Sequence, residues 1–133
     1  MADYVLDTSA LLALRGDEPG ADRVEQILRR SGRTQSRVLA SFMTRMELLY
    51  RISADEGEEA AASALRLVDS TPLRWVSCDM AILQQAARIK ARGGLSVADA
   101  WIAATAVEQG AVLVHKDPEF EGVGGLRHER IGS

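Results

Sequence analysis

The chain has 133 residues, of which 47% are hydrophobic and 26% charged, and its net charge is −3. These values are ordinary for a globular domain, and a chain of this length buries enough surface to fold without a disulfide or a structural metal. The negative charge argues against a protein that holds nucleic acid through bulk positive charge. The single cysteine, Cys78, excludes an internal disulfide and is typical of a small buried apolar residue.

The N-terminal segment MADYVLD carries acids at positions 3 and 7 and no basic region, unlike a secretory signal peptide. No apolar run approaches the roughly 18 residues that a membrane span needs. We therefore expect a cytoplasmic protein without membrane contact, with one domain over residues 1–133.

Short apolar strands alternate with helical segments along the chain. The predicted strands cover residues 3–7, 37–40, 73–77, 111–115 and 128–131. The predicted helices cover residues 8–14, 22–30, 42–55, 58–68, 80–92 and 97–109, and glycines follow several of their ends. This alternation predicts a three-layer α/β/α fold with a central, mostly parallel sheet of four to five strands.

Four acidic residues fall near the carboxyl ends of the predicted strands, where such folds bind ligands. Asp7 ends the first strand, and Asp117 follows the fourth strand in an Asp–Pro turn. Glu47 and Asp99 come early in the helices that follow the second strand and precede the fourth. Converging carboxylates raise one another's pKa, and a hard cation relieves that repulsion. The pattern therefore predicts that Mg²⁺ or Mn²⁺ binds these four acids, directly or through water.

Helix capping is an alternative explanation for two of these acids. Ser96 and Asp99 fit a capping box, as do Thr44 and Glu47, and acids in a first helical turn also offset the helix dipole. The other two acids have no comparable role at a helix terminus. Capping and metal binding are compatible, because a helix that begins at the mouth of the sheet places its first-turn acid in the crevice.

An all-carboxylate Mg²⁺ site is suited to phosphoryl transfer to water, since the metal stabilises the phosphate and lowers the pKa of the attacking water. No zinc site is expected, because we take His115 and His128 to be isolated from each other and from Cys78. No Ser–His pair or nucleophilic cysteine is evident, which favours direct attack by metal-activated water over a covalent route.

Four segments together resemble the PIN-domain family, and most closely the VapC-type toxins of bacterial toxin–antitoxin pairs. They are YVLDTSALLAL (4–14), MELLY (46–50), LSVADAWIAATA (95–106) and LVHKDPEF (113–120). The resemblance extends over nearly the whole chain, and each segment supplies one acid. It implies a compact α/β/α fold and a Mg²⁺- or Mn²⁺-dependent endoribonuclease that leaves a 3′-hydroxyl and a 5′-phosphate. It also implies catalytic roles for Asp7, Glu47, Asp99 and Asp117, with Ser9 as a small polar neighbour.

His115 departs from the family pattern, in which many members have Thr or Ser two residues before the last acid. A neutral imidazole donates or accepts one hydrogen bond much as Thr does, so we expect His115 to support the site. Its titration near neutrality can also shift the pH dependence. A histidine at a strand end with no part in catalysis is the alternative.

The resemblance further implies a homodimer and a cognate VapB-like antitoxin, whose C-terminal segment crosses the site and brings a basic side chain to the acids. RNA must also be attracted to this acidic protein. Arginines are frequent in the first half of the chain, and we expect Arg15, Arg45 and Arg51 to offset the acids locally and to contact RNA.

Three other functions compete with a toxin ribonuclease. A phospho-acceptor receiver domain needs adjacent acids after the first strand and an Asp directly at the end of the third, but the chain has only Asp7 and the more distant Asp79. A non-catalytic PIN-like module that binds RNA or a partner is disfavoured by the four intact acids. A PIN nuclease of RNA processing or decay differs only in its role, and the small size of the chain favours the toxin.

Overall fold

The computed structural model describes residues 2–132 and contains a five-stranded sheet in which every pair of neighbouring strands is parallel. The strands are β1 (Tyr4–Leu6), β2 (Val38–Ser41), β3 (Arg74–Val76), β4 (Val112–His115) and β5 (His128–Arg130). Their spatial order is β3-β2-β1-β4-β5. The chain moves from β1 to one side and later returns as β4 on the other. The carboxyl ends of β1 and β4 therefore flank the reversal of strand order, which is where open α/β sheets bind ligands.

Helices cover both faces of this sheet. Within residues 2–132 they are α1 (Thr8–Arg15), α2 (Ala21–Ser31), α3 (Phe42–Glu56), α4 (Glu58–Asp69), α5 (Met80–Arg92), α6 (Val97–Gln109) and a 3-10 helix (Pro118–Gly122). α1 to α4 pack on one face, and α5, α6 and the 3-10 helix pack on the other. The predicted α/β/α fold is confirmed, and its sheet has five strands.

The strands are apolar along their length because both faces of the sheet are covered. Successive side chains of a strand point to opposite faces. Val5 and Leu113 accordingly pack with α5 and α6, whereas Leu6 and Val114 pack with α1 to α4. All four side chains are fully buried. The ends of β1 and β4 are therefore held from both sides.

The helix α6 is apolar around most of its circumference, and its small residues allow close packing against the sheet. Its buried side chains are Ala100, Ile102, Ala103, Ala104, Thr105 and Ala106. At the start of α3, the Phe42 ring contacts the Trp101 ring of α6 in an edge-to-face arrangement, with 5.2 Å between the ring centroids. These contacts fix the first turn of α6 at the carboxyl edge of the sheet.

The capping residues of two helices differ from those that the sequence favours. α1 is capped by Asp7, whose carboxylate accepts a hydrogen bond from the N–H of Ser9, whereas the sequence favours Thr8 or Ser9 as the cap. α3 is capped by the hydroxyl of Ser41, so the predicted capping box that begins at Thr44 is wrong. Several capping side chains follow one another in each segment, and the point at which the preceding strand ends selects among them.

Cys78 is exposed in the segment between β3 and α5, so the prediction of a buried apolar role for this residue is wrong. Between residues 2 and 132, no helix combines the length and the apolar character that crossing a membrane demands.

Ile102 tests the central placement of α6. We expect Ile102→Ala to lower the free energy of unfolding by about 2 to 5 kcal/mol, because it leaves a cavity in a core that cannot collapse fully. Leu67→Ala removes a side chain that is 67% exposed, and it should change this free energy by less than about 0.5 kcal/mol. Urea denaturation followed by circular dichroism measures both, and equal effects would contradict the buried position of α6.

Candidate active site

Asp7 directly follows β1 and is the most buried of the four predicted site acids, with 4% of its surface exposed. Its Oδ2 accepts hydrogen bonds from the Ser9 hydroxyl at 2.5 Å and from the Ser9 N–H at 3.3 Å. Its own backbone N–H donates to the carbonyl of Val114 at 3.0 Å. The carboxylate is therefore fixed at the end of β1, beside β4.

Ser9 connects the ends of β1 and β4. Its hydroxyl donates to Asp7 and accepts from the backbone N–H of Lys116 at 3.1 Å. Lys116 immediately precedes Asp117 in the chain. One side chain thus holds the first and last predicted acids on the two sides of the strand-order reversal.

Glu47 lies in α3 and is held by buried threonines. The Thr8 hydroxyl donates to Oε1 of Glu47 at 2.7 Å and lies 3.2 Å from the Thr44 hydroxyl. Because each hydroxyl carries a single proton, Thr44 donates to Thr8 while Thr8 donates to the carboxylate. The start of α1 thereby orients the acid of α3.

Asp99 and Asp117 approach each other closely, together with a third acid, Glu119. One carboxylate oxygen from each residue lies within 4.8 Å of the other two. Asp99 occupies the first turn of α6, and its N–H donates to the Ser96 hydroxyl at 3.1 Å, which confirms the predicted cap.

Asp117 also caps a helix, because its Oδ1 accepts from the N–H of Glu119 at 2.9 Å. The expectation that Asp7 and Asp117 have no role at a helix terminus is therefore wrong. Each cap engages only one carboxylate oxygen, Oδ2 in Asp7 and Oδ1 in Asp117. A carboxylate has two oxygens, so capping leaves ligand capacity on both residues.

Glu119 was missed by reasoning from the sequence. Its signal was the spacing of two residues after Asp117 in the segment DPEF, where a tight turn brings both carboxylates to one side. The residue is exposed, and exposed acids in turns are common without any function.

Burial and mutual repulsion raise the pKa values of two of these acids, Asp7 and Asp99. Burial raises the pKa of Asp7 to about 6, and the charge of Asp99 acts in the same direction, whereas hydrogen bonds from Ser9 oppose them. Burial also raises the pKa of Asp99, and the nearby charge of Glu47 adds to this. Asp117 and Glu119 raise the pKa of Asp99 further. All five carboxylates thus affect one shared region.

The donor set fits a hard divalent cation. Every donor is a carboxylate oxygen, which Mg²⁺ and Mn²⁺ prefer to nitrogen or sulfur. One carboxylate oxygen from each of Asp99, Asp117 and Glu119 lies within 4.8 Å of the other two, so these three residues would be close enough to hold one cation, directly or through water.

His115 lies behind Asp117 and is fully buried. Its Nδ1 accepts from the N–H of Asp117 at 3.1 Å, and its Nε2 lies 3.0 Å from Nδ1 of His128. The prediction that the two histidines are isolated from each other is wrong, because β5 pairs with β4 so that His128 lies opposite Leu113. Burial, followed by the neighbouring His128, lowers the pKa of His115, which favours a neutral ring.

Two of the three predicted RNA-contacting arginines have partners within the protein. Arg15 forms a bidentate ion pair with Glu56 at 2.6 and 3.2 Å. It lies at the far end of α1, about 12 Å from Asp7 along the helix axis. Arg45 lies 3.7 Å from Asp69 and stacks over the Trp75 ring at 5.3 Å from its centroid.

Of the three arginines, Arg51 is the best placed to contact RNA beside the acids. It follows Glu47 by four residues in α3 and so lies on the same helix face, one turn further along. It is exposed and forms no ion pair with any residue between 2 and 132.

Comparison with known proteins identifies the class. The family model of the PIN domain matches residues 4–126, and the chain therefore belongs to the PIN-domain family. A search of curated proteins found no significant match.

Similar solved structures come from VapBC toxin–antitoxin complexes. DNA-bound VapBC from Salmonella typhimurium is 26% identical, with a TM-score of 0.76 over 98% of each chain. VapBC-1 from nontypeable Haemophilus influenzae is 25% identical, with a TM-score of 0.76 over 96% of each chain. VapBC2 from Rickettsia felis, bound to a promoter DNA fragment, is 20% identical, with a TM-score of 0.78 over 96% of this chain and 98% of that one. The likeness extends over whole chains, so this PIN domain is similar in fold to proteins of VapBC toxin–antitoxin complexes.

The raised pKa of Asp7 generates a stability prediction for the protein without divalent cations. The folded pKa of about 6 lies above the ordinary value of 3.8, so the free energy of unfolding falls as pH rises between about 4 and 6. The charged carboxylate then destabilises the fold by up to about 3 kcal/mol at pH 8. Asp7→Asn keeps the cap without the charge, so in EDTA it should be more stable than wild type at pH 8.

Thermal and urea denaturation at pH 8 and pH 5 measure this difference. It should shrink to about half at pH 5, where much of the Asp7 population is protonated in the folded wild type. A variant less stable than wild type by the same amount at both pH values would contradict the proposed electrostatic strain.

Proposed function

We propose that the protein is a Mg²⁺- or Mn²⁺-dependent endoribonuclease that acts in the cytoplasm as the toxin of a VapBC-type pair, with residues 1–133 as one PIN domain. The observation that carries this proposal is the convergence of Asp7, Glu47, Asp99 and Asp117 at the carboxyl edge of the sheet. Membership of the PIN family and likeness to VapBC complexes support it.

In this proposal Asp99 and Asp117 hold the cation most directly, because their carboxylates are adjacent and each retains an oxygen not used for capping. Asp7, Glu47 and Glu119 act directly or through water. The bound ion supplies stabilisation of the charge that develops on the scissile phosphate and lowers the pKa of the attacking water.

The carboxylates that are not in direct contact with the cation accept hydrogen bonds from the attacking water and orient it. Glu47 suits this role because Thr8 fixes one of its oxygens. Attack opposite the 3′ oxygen breaks the bond between phosphorus and that oxygen, which leaves a 3′-hydroxyl and a 5′-phosphate. The 2′-hydroxyl takes no part as a nucleophile.

An acidic pocket that requires a cation also explains inhibition by a VapB-like antitoxin. An arginine side chain from the antitoxin can occupy the position of the cation and pair with the carboxylates. An apolar groove of about 440 Å³ offers further contact area for such a partner. It is lined mainly by aliphatic side chains of α1 to α4, among them Leu11, Leu14, Leu28, Ile52 and Leu67.

We further propose that the protein forms a homodimer through apolar side chains on α3, α5 and α6. Several large apolar residues are exposed there, including Met46, Tyr50 and Met80. Leu83 and Trp101 line an open apolar depression of about 200 Å³ between α5 and α6. Exposed apolar surface of this kind is typical of contact sites between proteins.

The role of Asp99 is tested by Asp99→Asn, which removes one negative charge from the site without removing the residue. We expect at least an approximately 100-fold loss of RNA cleavage, because electrostatic stabilisation of the phosphate contributes several kcal/mol. Glu108→Gln, an exposed acid near the other end of α6, is the matched control and should cleave normally.

Cleavage of labelled single-stranded RNA in Mg²⁺, in Mn²⁺ and in EDTA provides the measurement, and unfolding curves confirm that both variants fold. Full activity of Asp99→Asn, or of wild type in EDTA, would refute the proposed metal-dependent mechanism.

RNA attraction is tested by charge reversal at the three arginines. Arg51→Glu should weaken RNA binding most, because Arg51 lies near Glu47 without an ion-pair partner among the described residues. The slope of log affinity against log salt should become shallower by roughly 0.7 for each phosphate of a single strand that the variant no longer neutralises. Arg15→Glu and Arg45→Glu should have smaller effects. Salt-dependent fluorescence anisotropy measures all three, and unchanged binding and slope would exclude these residues from the RNA surface.

A further inference from the structure

Two histidines form a continuous hydrogen-bonded chain with the backbone of Asp117. The N–H of Asp117 donates to Nδ1 of His115 at 3.1 Å, and Nε2 of the same ring lies 3.0 Å from Nδ1 of His128. These hydrogen bonds therefore link β5, at the edge of the sheet, to the start of the loop that carries Asp117. His128 has no direct contact with the carboxylates in this arrangement.

The first hydrogen bond determines the position of every proton in the chain. Nδ1 of His115 can accept from Asp117 only if that nitrogen carries no proton. The proton of the neutral ring must then be on Nε2, which becomes a donor. Nδ1 of His128 is the acceptor within reach, so His128 in turn carries its own proton on Nε2.

Because His115 is buried, its environment favours one neutral tautomer of the ring over the other. His115 is fully buried, and its ring packs against Phe120 with 5.0 Å between the ring centroids. An Nε2–H group without an acceptor would lose its hydration at this position, at a cost comparable to that of a broken hydrogen bond. Every buried side-chain nitrogen and oxygen within residues 2–132 has a partner. His128 thus favours one tautomer of His115 over the other.

We infer that His128 is a positioning residue for the proposed cation site. It holds His115 in the Nε2–H tautomer, His115 then accepts from the N–H of Asp117, and this bond fixes the backbone from which the Asp117 carboxylate projects. Partners of metal ligands commonly act in this way, by orientation and not by contact with the ion. The inference rests on the proposed function only for the effect on the cation.

The tautomer can be measured in the wild-type protein without any cation. Long-range proton–nitrogen correlation NMR spectra of isotope-labelled protein in EDTA distinguish the two neutral tautomers of each ring. We expect the Nε2–H form for both histidines. A wild-type His115 in the Nδ1–H form would overturn the inference, whatever the activity of the protein.

A pair of substitutions separates the acceptor from the bulk of the ring. His128→Asn keeps an acceptor near the position of Nδ1, whereas His128→Leu removes it. In His128→Leu we expect a mixture of His115 tautomers and a roughly 10-fold weaker Mn²⁺ affinity. His128→Asn should remain close to wild type in both measurements. Equal losses in the two variants would show that His128 only fills space, and no loss in either would overturn the inference.

A double-mutant cycle tests whether His128 acts through His115. His115→Thr supplies a hydroxyl acceptor for the N–H of Asp117 and needs no tautomer. In this background, His128→Leu should leave the Mn²⁺ affinity unchanged in titration calorimetry, in contrast to its effect on wild type. An undiminished effect of His128→Leu would contradict the inference.

Failure of the proposed function would give a different result. A wild-type protein that binds neither Mn²⁺ nor Mg²⁺ would refute the cation site. The tautomer comparison of wild type, His128→Leu and His128→Asn in EDTA would still decide whether His128 sets the state of His115.

Discussion

The carboxylate of Asp7 is almost completely buried and lies in the field of Asp99, and the organisation of the site depends on this unfavourable interaction. The fold itself creates it, because β1 is the central strand and its carboxyl end opens where the strand order reverses. Nearby basic side chains do not neutralise the repulsion between the carboxylates of Asp7 and Asp99. Among residues 2–132 no Lys or Arg is paired with a site acid, and Lys116 instead lies 3.5 Å from Glu18. The site therefore favours an external cation.

Short polar side chains hold the acids in place without neutralising them. Ser9 connects Asp7 to the backbone beside Asp117, and Thr8 orients Glu47. Hydroxyls suit this task because they satisfy one oxygen of a carboxylate and leave its charge available to a ligand. His115 performs the same task at Asp117 with a ring nitrogen, at the expense of requiring a second histidine to determine its tautomer.

Much of the fold was predictable from local pattern, since apolar strands and amphipathic or Ala-rich helices alternate along the chain, and glycines follow several helix ends. The exact capping residues could not be predicted, because adjacent polar residues such as Asp7, Thr8 and Ser9 can each cap a helix. The point at which the preceding strand ends determines which of them does so. The contact between His115 and His128 depends on the register of the edge strand β5, which carries little sequence signal. Glu119 was hidden because an exposed acid in a turn has no distinctive pattern until the turn places it beside Asp99.

The central claim is that one divalent cation relieves the repulsion among these carboxylates. Anomalous X-ray diffraction from crystals of the wild-type protein grown with Mn²⁺ tests it most directly. We predict an anomalous peak within about 2.5 Å of carboxylate oxygens of both Asp99 and Asp117. A structure with these side chains ordered, in millimolar Mn²⁺ and without an anomalous peak between them, would contradict the claim.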